Sequence, residues 1–546
     1  MKLKLPIGIQ TFEEIRKDGY VYVDKTKYLV ELIDTGKIYF LARPRRFGKS
    51  LTVSTFEALF SGNKELFKGL YAEEFLNRPE FNPSPVIRLD MSDITTKKGI
   101  DGVDEALLKL TRKVAKKLGV EISDSTSAGE LLSELIAETA TQYNQKVVIL
   151  IDEYDKPYTD FVNDTDLAEK VRESLRDFYV RIKVNDEYIR FTFITGISKF
   201  ARFGVFSTLN SPSDISMKRK YAEICGYTEE EIIHYFPDYL DETANKMGIT
   251  TPELLEKMRD YYNGFTFDSK TEARLYNPYS TLSFFDEKEF SNFWVLTGKP
   301  KFIAEYMKGR NLTVEQFHNL PVSKNFVKNP GDMDTTLPEG FLYQSGYLTL
   351  RPGEINDLSL DYPNTEVLNA MSELVSQNIL QHKDESYSKC QTDLLNGLKN
   401  KNIKMVTGAF NRLLASIPYD DFMGAAKQSI SNNNYLMKPQ EWLYRTGIYG
   451  FLQGCGIVVA SEMHSNKGRA DLVVSHKGNV WVIELKVAYE GASAETKAKE
   501  AYQQIIDNNY AKPFHNAICL GLGIDDNERQ ITAFQVEKSI THVIPA

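Results

Sequence analysis

Short apolar runs and segments of helical spacing alternate along the N-terminal part of the chain. Ile38-Tyr39-Phe40-Leu41 predicts a buried strand, followed by a Gly-Lys-Ser turn and a helix over residues 51–60. Val86-Ile87-Arg88-Leu89 predicts a second strand, and residues 106–118 an amphipathic helix with basic residues on one side. Val147-Val148-Ile149-Leu150-Ile151 has no polar interruption, the pattern of a strand covered on both faces. Phe191-Thr192-Phe193-Ile194-Thr195 predicts a further strand. Strands alternating with helices imply a parallel sheet with helices on both sides.

The pattern changes after about Tyr235. Residues 238–262 read as mostly helical, followed by aromatic, turn-rich pieces such as Tyr261-Tyr262-Asn263-Gly264-Phe265 and Phe293-Trp294. Residues 360–438 read as helical and polar, with Ser431-Asn432-Asn433-Asn434 as a boundary. From Glu441 a helix leads into alternating strands and a last helix-strand unit. The expected division is 1–235 for an α/β domain, 236–360 for a helical lid and connector, 361–438 for a helical linker, and 439–546 for a second α/β domain. No repeat of 20 to 50 residues is visible, and 546 residues exceed what a single core accommodates.

Composition narrows the class. Apolar residues make up 42% and charged residues 26%, ordinary values for a soluble globular protein. No apolar run approaches the roughly 18 residues that a membrane helix needs, and the N-terminus lacks a signal-peptide core. A cytoplasmic protein without a membrane partner is expected. Cys225, Cys390, Cys455 and Cys519 lie far apart and form no C-x-x-C pair, so buried free thiols are expected rather than disulfides or a zinc site. A net charge of −9 argues against a protein that coats nucleic acid, yet leaves room for a local basic groove.

Phe47-Gly48-Lys49-Ser50 follows a strand and opens a helix, the context of a Walker A loop. Phosphate binding asks for backbone amides at a helix N-terminus, a lysine that reaches the β- and γ-phosphates, and a hydroxyl on Mg²⁺. Lys49 and Ser50 fit these roles. Arg43 stands where the usual pattern has its first glycine. The apolar run ending at Ile151 delivers Asp152-Glu153, a Walker B arrangement in which Asp152 serves the Mg²⁺ shell and Glu153 polarises water. In open α/β sheets both motifs arrive at the carboxyl ends of their strands. Thr195 or Ser198 could supply a polar sensor beside the γ-phosphate, or merely cap a helix. Arg43, Arg45, Arg46 and Arg202 are candidates for phosphate charge, or for a solvated basic edge.

At the other end, residues 471–474 and 480–487 read as a hairpin turned by Lys477-Gly478-Asn479. Strand alternation places Glu484 and Lys486 on one face, and the hairpin can bring Asp471 beside them. Two carboxylates on one face suit a hard divalent cation, and a lysine can position or help deprotonate water. A charged pair within the apolar run Val482, Ile483, Leu485, Val487 needs partners or a metal. Arg469 and Lys467 could touch a phosphate backbone. His464 reads as a surface or satisfied histidine.

The chain resembles prokaryotic AAA-ATPase-like proteins fused to a PD-(D/E)XK nuclease domain. The resemblance rests on residues 6–12, Tyr22-Val23-Asp24-Lys25-Thr26, Arg43-Pro44-Arg45-Arg46-Phe47-Gly48-Lys49-Ser50-Leu51 and Leu150-Ile151-Asp152-Glu153-Tyr154-Asp155. It continues through Thr195-Gly196-Ile197-Ser198, Tyr276-Asn277-Pro278-Tyr279-Ser280, residues 342–348 and Tyr362-Pro363-Asn364. It implies that the whole stretch from Arg43 to Ser50 is the phosphate loop, and that Arg45, Arg46, Phe47, Gly48, Lys49, Ser50 and Leu51 surround ATP. Asp471, Glu484 and Lys486 are similar to the PD-(D/E)XK signature, with Ala470 in place of proline. That superfamily places another metal-linked acid on the preceding helix, which implies Glu441, and a polar residue on the following one, which implies Gln504 or its neighbour Gln503.

The resulting expectation is an α/β protein with a P-loop AAA-like domain, a helical middle and a C-terminal restriction-endonuclease-like domain. Its cofactors would be ATP and Mg²⁺ or Mn²⁺, and its substrate nucleic acid, DNA rather than RNA. A homo-oligomer is compatible with the sequence. The rival reading is a nucleotide-gated regulator whose nuclease fold only binds nucleic acid; a third is an ATPase motor with vestigial nuclease parts.

Overall fold

The computed structural model describes residues 2–94, 99–161, 164–197, 212–268, 270, 272–296, 317–323, 326, 338–353, 357–380, 384–415, 439–455, 457–465, 468–489, 492–526, 528 and 530–537. They fall into two compact units, the residues up to 296 with Phe317–Val367, and the residues from Leu368 onward.

Unit 1 is built on a sheet of five strands: β1 (Ile38–Ala42), β2 (Val86–Asp90), β3 (Val147–Asp152), β4 (Ile189–Gly196) and β5 (Ser213–Asp214). Their order is β2-β3-β4-β1-β5, and every pairing is parallel. All six residues of β3 are buried, as its unbroken apolar run requires. Helix Lys49–Phe60 packs on β3, while Gly99–Leu118, Ala128–Tyr143 and Thr165–Val184 pack on one another. Because β4 lies between β1 and β3, the loop after β1 and the acids after β3 flank one gap at the carboxyl rim.

The middle of the chain is chiefly helical, with helices Glu229–Tyr235, Pro237–Met247, Thr251–Tyr262 and Pro278–Glu287. Thr228 with Glu231 and Thr250 with Glu253 form capping boxes that start two of them. Phe236, Tyr262, Phe284, Phe285 and Phe293 form their shared core. A small antiparallel sheet follows, β6 (Leu320–Pro321), β7 (Thr349–Gly353) and β8 (Asp357–Asp361), in the order β6-β8-β7. The sequence reading missed it: β6 has only two residues and β7 carries Pro352 and Gly353, which read as a turn, although Asp357–Asp361 does alternate polar and apolar.

In unit 2, helices Asp384–Lys399, Ile403–Ala415 and Pro439–Gly454 precede β9 (Val458–Ser465), β10 (Gly468–His476) and β11 (Asn479–Ala488). Helix Ala494–Asp507, β12 (Ile518–Asp525) and β13 (Gln530–Glu537) complete it. The sheet order is β13-β12-β11-β10-β9, antiparallel except for the β11–β12 pair, which the helix connects. Lys477 and Gly478 form a two-residue turn with φ of 47° and 80°, the left-handed pair that matches strand twist in a hairpin. Leu394, Leu398, Val406, Phe410 and Leu413, from the stretch read as a linker, share a core with Leu472 and Trp481. The boundary at residues 431–434 lies outside the described residues. All four cysteines are buried thiols outside any disulfide. Among the described residues no helix is long and apolar enough to cross a membrane.

Candidate functional sites

The first site forms where β1 runs into helix Lys49–Phe60. Gly48 takes φ of 92° before that helix, a conformation that favours glycine, and its carbonyl accepts the Thr52 amide at 2.9 Å. Phe47 is buried edge-on against Phe265 and Phe267, with ring centroids 4.8 and 5.2 Å away. The loop is thereby pinned from its inner side, which leaves its amides and its lysine to the cleft. Lys49 is buried, and its amine donates to the carbonyls of Arg43 and Pro44 at 3.0 and 2.9 Å.

Across the rim, Asp152 ends β3 and hydrogen-bonds the Ser50 hydroxyl. Glu153 follows with φ of 51°, a left-handed conformation unusual for a glutamate. Both carboxyls are pushed up by burial, while the Lys49 ammonium pulls each back. Burial likewise pushes the Lys49 amine down, against the pull of Glu153, Asp152 and Asp155. A buried lysine donating to loop carbonyls beside a hydroxyl–carboxylate pair is a donor set that fits a phosphate with a divalent cation. These groups line a cleft of about 430 Å³, shared with Gln10, Arg45, Arg46, Tyr279 and Trp294.

Gly48, Lys49, Ser50, Leu51, Asp152 and Glu153 therefore converge, together with Arg45 and Arg46. Arg43 does not belong with them. It is 1% exposed, donates to the carbonyls of Ser216 at 2.7 Å and Tyr221 at 3.0 Å, and lies 4.1 Å above Phe267. It is neither a phosphate ligand nor a solvated edge; it fastens the loop to the segment after β5. Burial pushes its guanidinium down to about 10. Thr195 is also taken, since its hydroxyl donates to Leu41 at 2.9 Å and ties β4 to β1 instead of capping a helix or facing the cleft. Ser198 and Arg202 lie outside the described residues. Among the lining residues that were missed is a third acid, Asp90. It pairs in register with Asp152, and its signal was the same: an acid directly after an apolar strand.

The second site sits on the β10–β11 hairpin. The Asp471 amide donates to Glu484 Oε2 at 3.1 Å, and the Leu485 amide donates to Asp471 Oδ2 at 2.9 Å. Asp471 is 8% exposed and Glu484 3%. Gln504 donates its amide to Glu484 Oε1. That contact depends on Gly521 and Gly523 in β12, where a Cβ would lie 2.4 and 1.9 Å from helix backbone carbonyls. Only glycine lets helix Ala494–Asp507 settle this close to the sheet. Gln503 instead bonds Asp507 at the surface.

Two carboxylates so placed oppose each other. Burial pushes both up first, and for Glu484 the Asp471 charge adds to it. The charges of Glu441 and Lys486 reach both, with opposite effect. Arg445 comes within 3.7 Å of Asp471. It was missed in the sequence, although it stands one helical turn after Glu441 and so shares its face. Among the described residues no three His, Cys, Asp or Glu side chains gather as a ligand set. The pair itself fits a hard cation, because a bound cation offsets both the mutual repulsion and the desolvation. The side chains of His464 and Arg469 are not described, and Lys467 lies outside the described residues.

Comparison with known proteins follows the same division. Residues 6–206 match a family model described as predicted AAA-ATPase. Residues 439–534 match the PD-(D/E)XK nuclease superfamily. A protein of Azotobacter chroococcum mcd 1, described as an uncharacterized protein in the vnfD 5′ region, is 32% identical over 548 residues. The match spans 98% of this chain and 99% of that protein. With a relative matched end to end and both domain models in the same order as the two sites, the chain belongs to the family of predicted AAA-ATPases that carry a C-terminal PD-(D/E)XK nuclease superfamily domain.

Proposed function

We propose that unit 1 binds and hydrolyses ATP with Mg²⁺, and that unit 2 is a divalent-metal-dependent nuclease acting on DNA in the cytoplasm. The observation that carries the nuclease reading is the buried pair Asp471 and Glu484, held by backbone amides and by Gln504. A binding module has no need to bury two like charges together, because each loses hydration and repels the other, against only the charges of Arg445 and Lys486. When bound, the cation supplies an activated water and offsets charge on the scissile phosphate. Asp471 and Glu484 would hold it, Gln504 would keep Glu484 oriented, and Lys486 would position the water.

In unit 1, Lys49 would exchange its two loop carbonyls for the β- and γ-phosphates, and Ser50 with Asp152 would serve the Mg²⁺. Glu153 would orient the attacking water, with Arg45 and Arg46 near the phosphates. Ser198 and Arg202 remain candidate supports.

The test is cleavage of linear DNA, supercoiled DNA and RNA by the purified full chain with Mg²⁺ or Mn²⁺, beside Glu484→Ala. DNA should be cut by the wild type and not by the variant, with circular dichroism showing the variant folded. A folded Glu484→Ala protein that cuts at the wild-type rate would exclude this site as the nuclease centre.

A further inference from the structure

Glu366 is a fully buried carboxylate that neither site uses. It lies in the first turn of helix Thr365–Leu380, and the boundary between the two units falls inside that helix, after Val367. The helix start is locked into unit 1. Asn364 accepts the Val367 amide at 3.0 Å and donates to the Asn263 carbonyl at 2.8 Å. Gly264, with φ of 107°, approaches the Pro363 carbonyl so closely that a Cβ would lie 2.1 Å from it.

From this anchored turn Glu366 reaches the wall of the nucleotide cleft. Its Oε1 accepts the Trp294 amide at 2.7 Å and the Ser280 hydroxyl at 3.1 Å. Trp294 donates its indole N–H to the Arg45 carbonyl at 3.3 Å. Asn277, which caps the helix bearing Ser280, donates to that same carbonyl at 3.5 Å. The bonds close a ring: Arg45, Trp294, Glu366, Ser280, Asn277 and back to Arg45. Among the described residues Glu366 Oε2 has no hydrogen-bond partner, a cost a buried oxygen bears only where its neighbours hold it in place. Burial pushes the carboxyl up to about 8, against the hydrogen bonds from Trp294, Ser280 and the Phe293 amide.

We propose that Glu366 is a positioning residue that couples the phosphate-binding loop to the helix entering the second unit. The inference rests on the nucleotide-binding reading of the cleft. The loop has reason to rearrange: when Lys49 turns to phosphate, the carbonyls of Arg43 and Pro44 lose their donor. The next carbonyl in the loop, that of Arg45, is the one the ring grips. A shift there is felt at Glu366 and so at the start of the helix. Nucleotide changes the helix only as far as it binds the two arrangements with different affinity.

Hydrogen–deuterium exchange of the full chain, with and without a non-hydrolysable ATP analogue and Mg²⁺, tests this. In the wild type the analogue should change exchange of amides 367–371 by about fivefold or more. Glu366→Ala and Ser280→Ala should keep analogue affinity within about twofold by calorimetry and lose that change. Glu366→Gln, whose amide oxygen still accepts from Trp294 and Ser280, should restore it. Ser280→Ala carries the test if Glu366→Ala does not fold. The proposal is overturned if the wild type binds the analogue with no change at 367–371, or if both alanine variants keep the change. A wild type that does not bind the analogue removes the nucleotide reading itself, a separate result.

Discussion

The backbone amide of Asp471 points at the carboxylate of Glu484, 3.1 Å from Oε2, so one strand of the hairpin solvates the charge on the other. The bond fixes Glu484 but leaves its charge beside that of Asp471. Glu484→Gln keeps the shape and removes one of two opposed charges. In chelator the variant should be more stable than wild type by on the order of 1 kcal/mol, the worth of about one pKa unit. Mn²⁺ should raise the melting temperature of the wild type and not of the variant. Thermal melts with and without Mn²⁺ read both effects, and equal Mn²⁺ shifts in the two proteins would contradict the shared-cation reading.

Lys49 is held at the cleft by two carbonyls of its own loop, ready to be drawn to an anion. Lys49→Ala should weaken ATP binding by about tenfold or more, roughly 1.4 kcal/mol. Glu153→Gln should keep affinity and slow hydrolysis by about a hundredfold. Calorimetry and phosphate release separate the two variants.

Gly521 sits where helix Ala494–Asp507 presses on β12, and an added Cβ would lie 2.4 Å from both the Ala498 carbonyl and the Tyr502 amide. Gly521→Ala must push the helix outward, which costs about 1–3 kcal/mol in a packed core. The same displacement draws Gln504 away from Glu484, so metal-dependent cleavage should fall in the protein that remains folded. Denaturant unfolding and cleavage by the folded fraction check it; unchanged values in both would show that the close packing is dispensable.

The pH dependence of stability should carry the mark of Glu366. Its carboxyl is raised to about 8 in the folded chain by burial, from an ordinary value of 4.5. Between those values the native state holds a proton that the unfolded state has released. Stability from this group therefore falls as pH rises from about 4.5 towards 8. Glu366→Gln has no proton to lose, so its stability should vary less over that window. Unfolding in denaturant at pH 5, 6, 7 and 8 compares the slopes; parallel curves for the two proteins would show that Glu366 does not titrate there.

Local signals decided much of this protein. An unbroken apolar run is enough to bury β3 on both faces, and Lys477-Gly478 is enough to turn the hairpin, because both are set by neighbours in sequence. Strand alternation alone puts Glu484 and Lys486 on one side and Leu485 on the other. The residues that sequence reasoning placed wrongly or missed take their roles from distant partners. Arg43 stands in a loop that looks made for phosphate, yet it donates to the carbonyls of Ser216 and Tyr221, 173 and 178 residues on. Thr195 is claimed by Leu41, 154 residues before it, and Glu366 by Ser280 and Trp294, 86 and 72 residues before it. Periodicity says that a side chain will be buried but not what it will meet there. That depends on which strand lies beside which, and the place of β4 between β1 and β3 belongs to the assembled sheet. A buried polar atom must find its partner in that arrangement, so its role is settled by tertiary packing and not by its own stretch of chain.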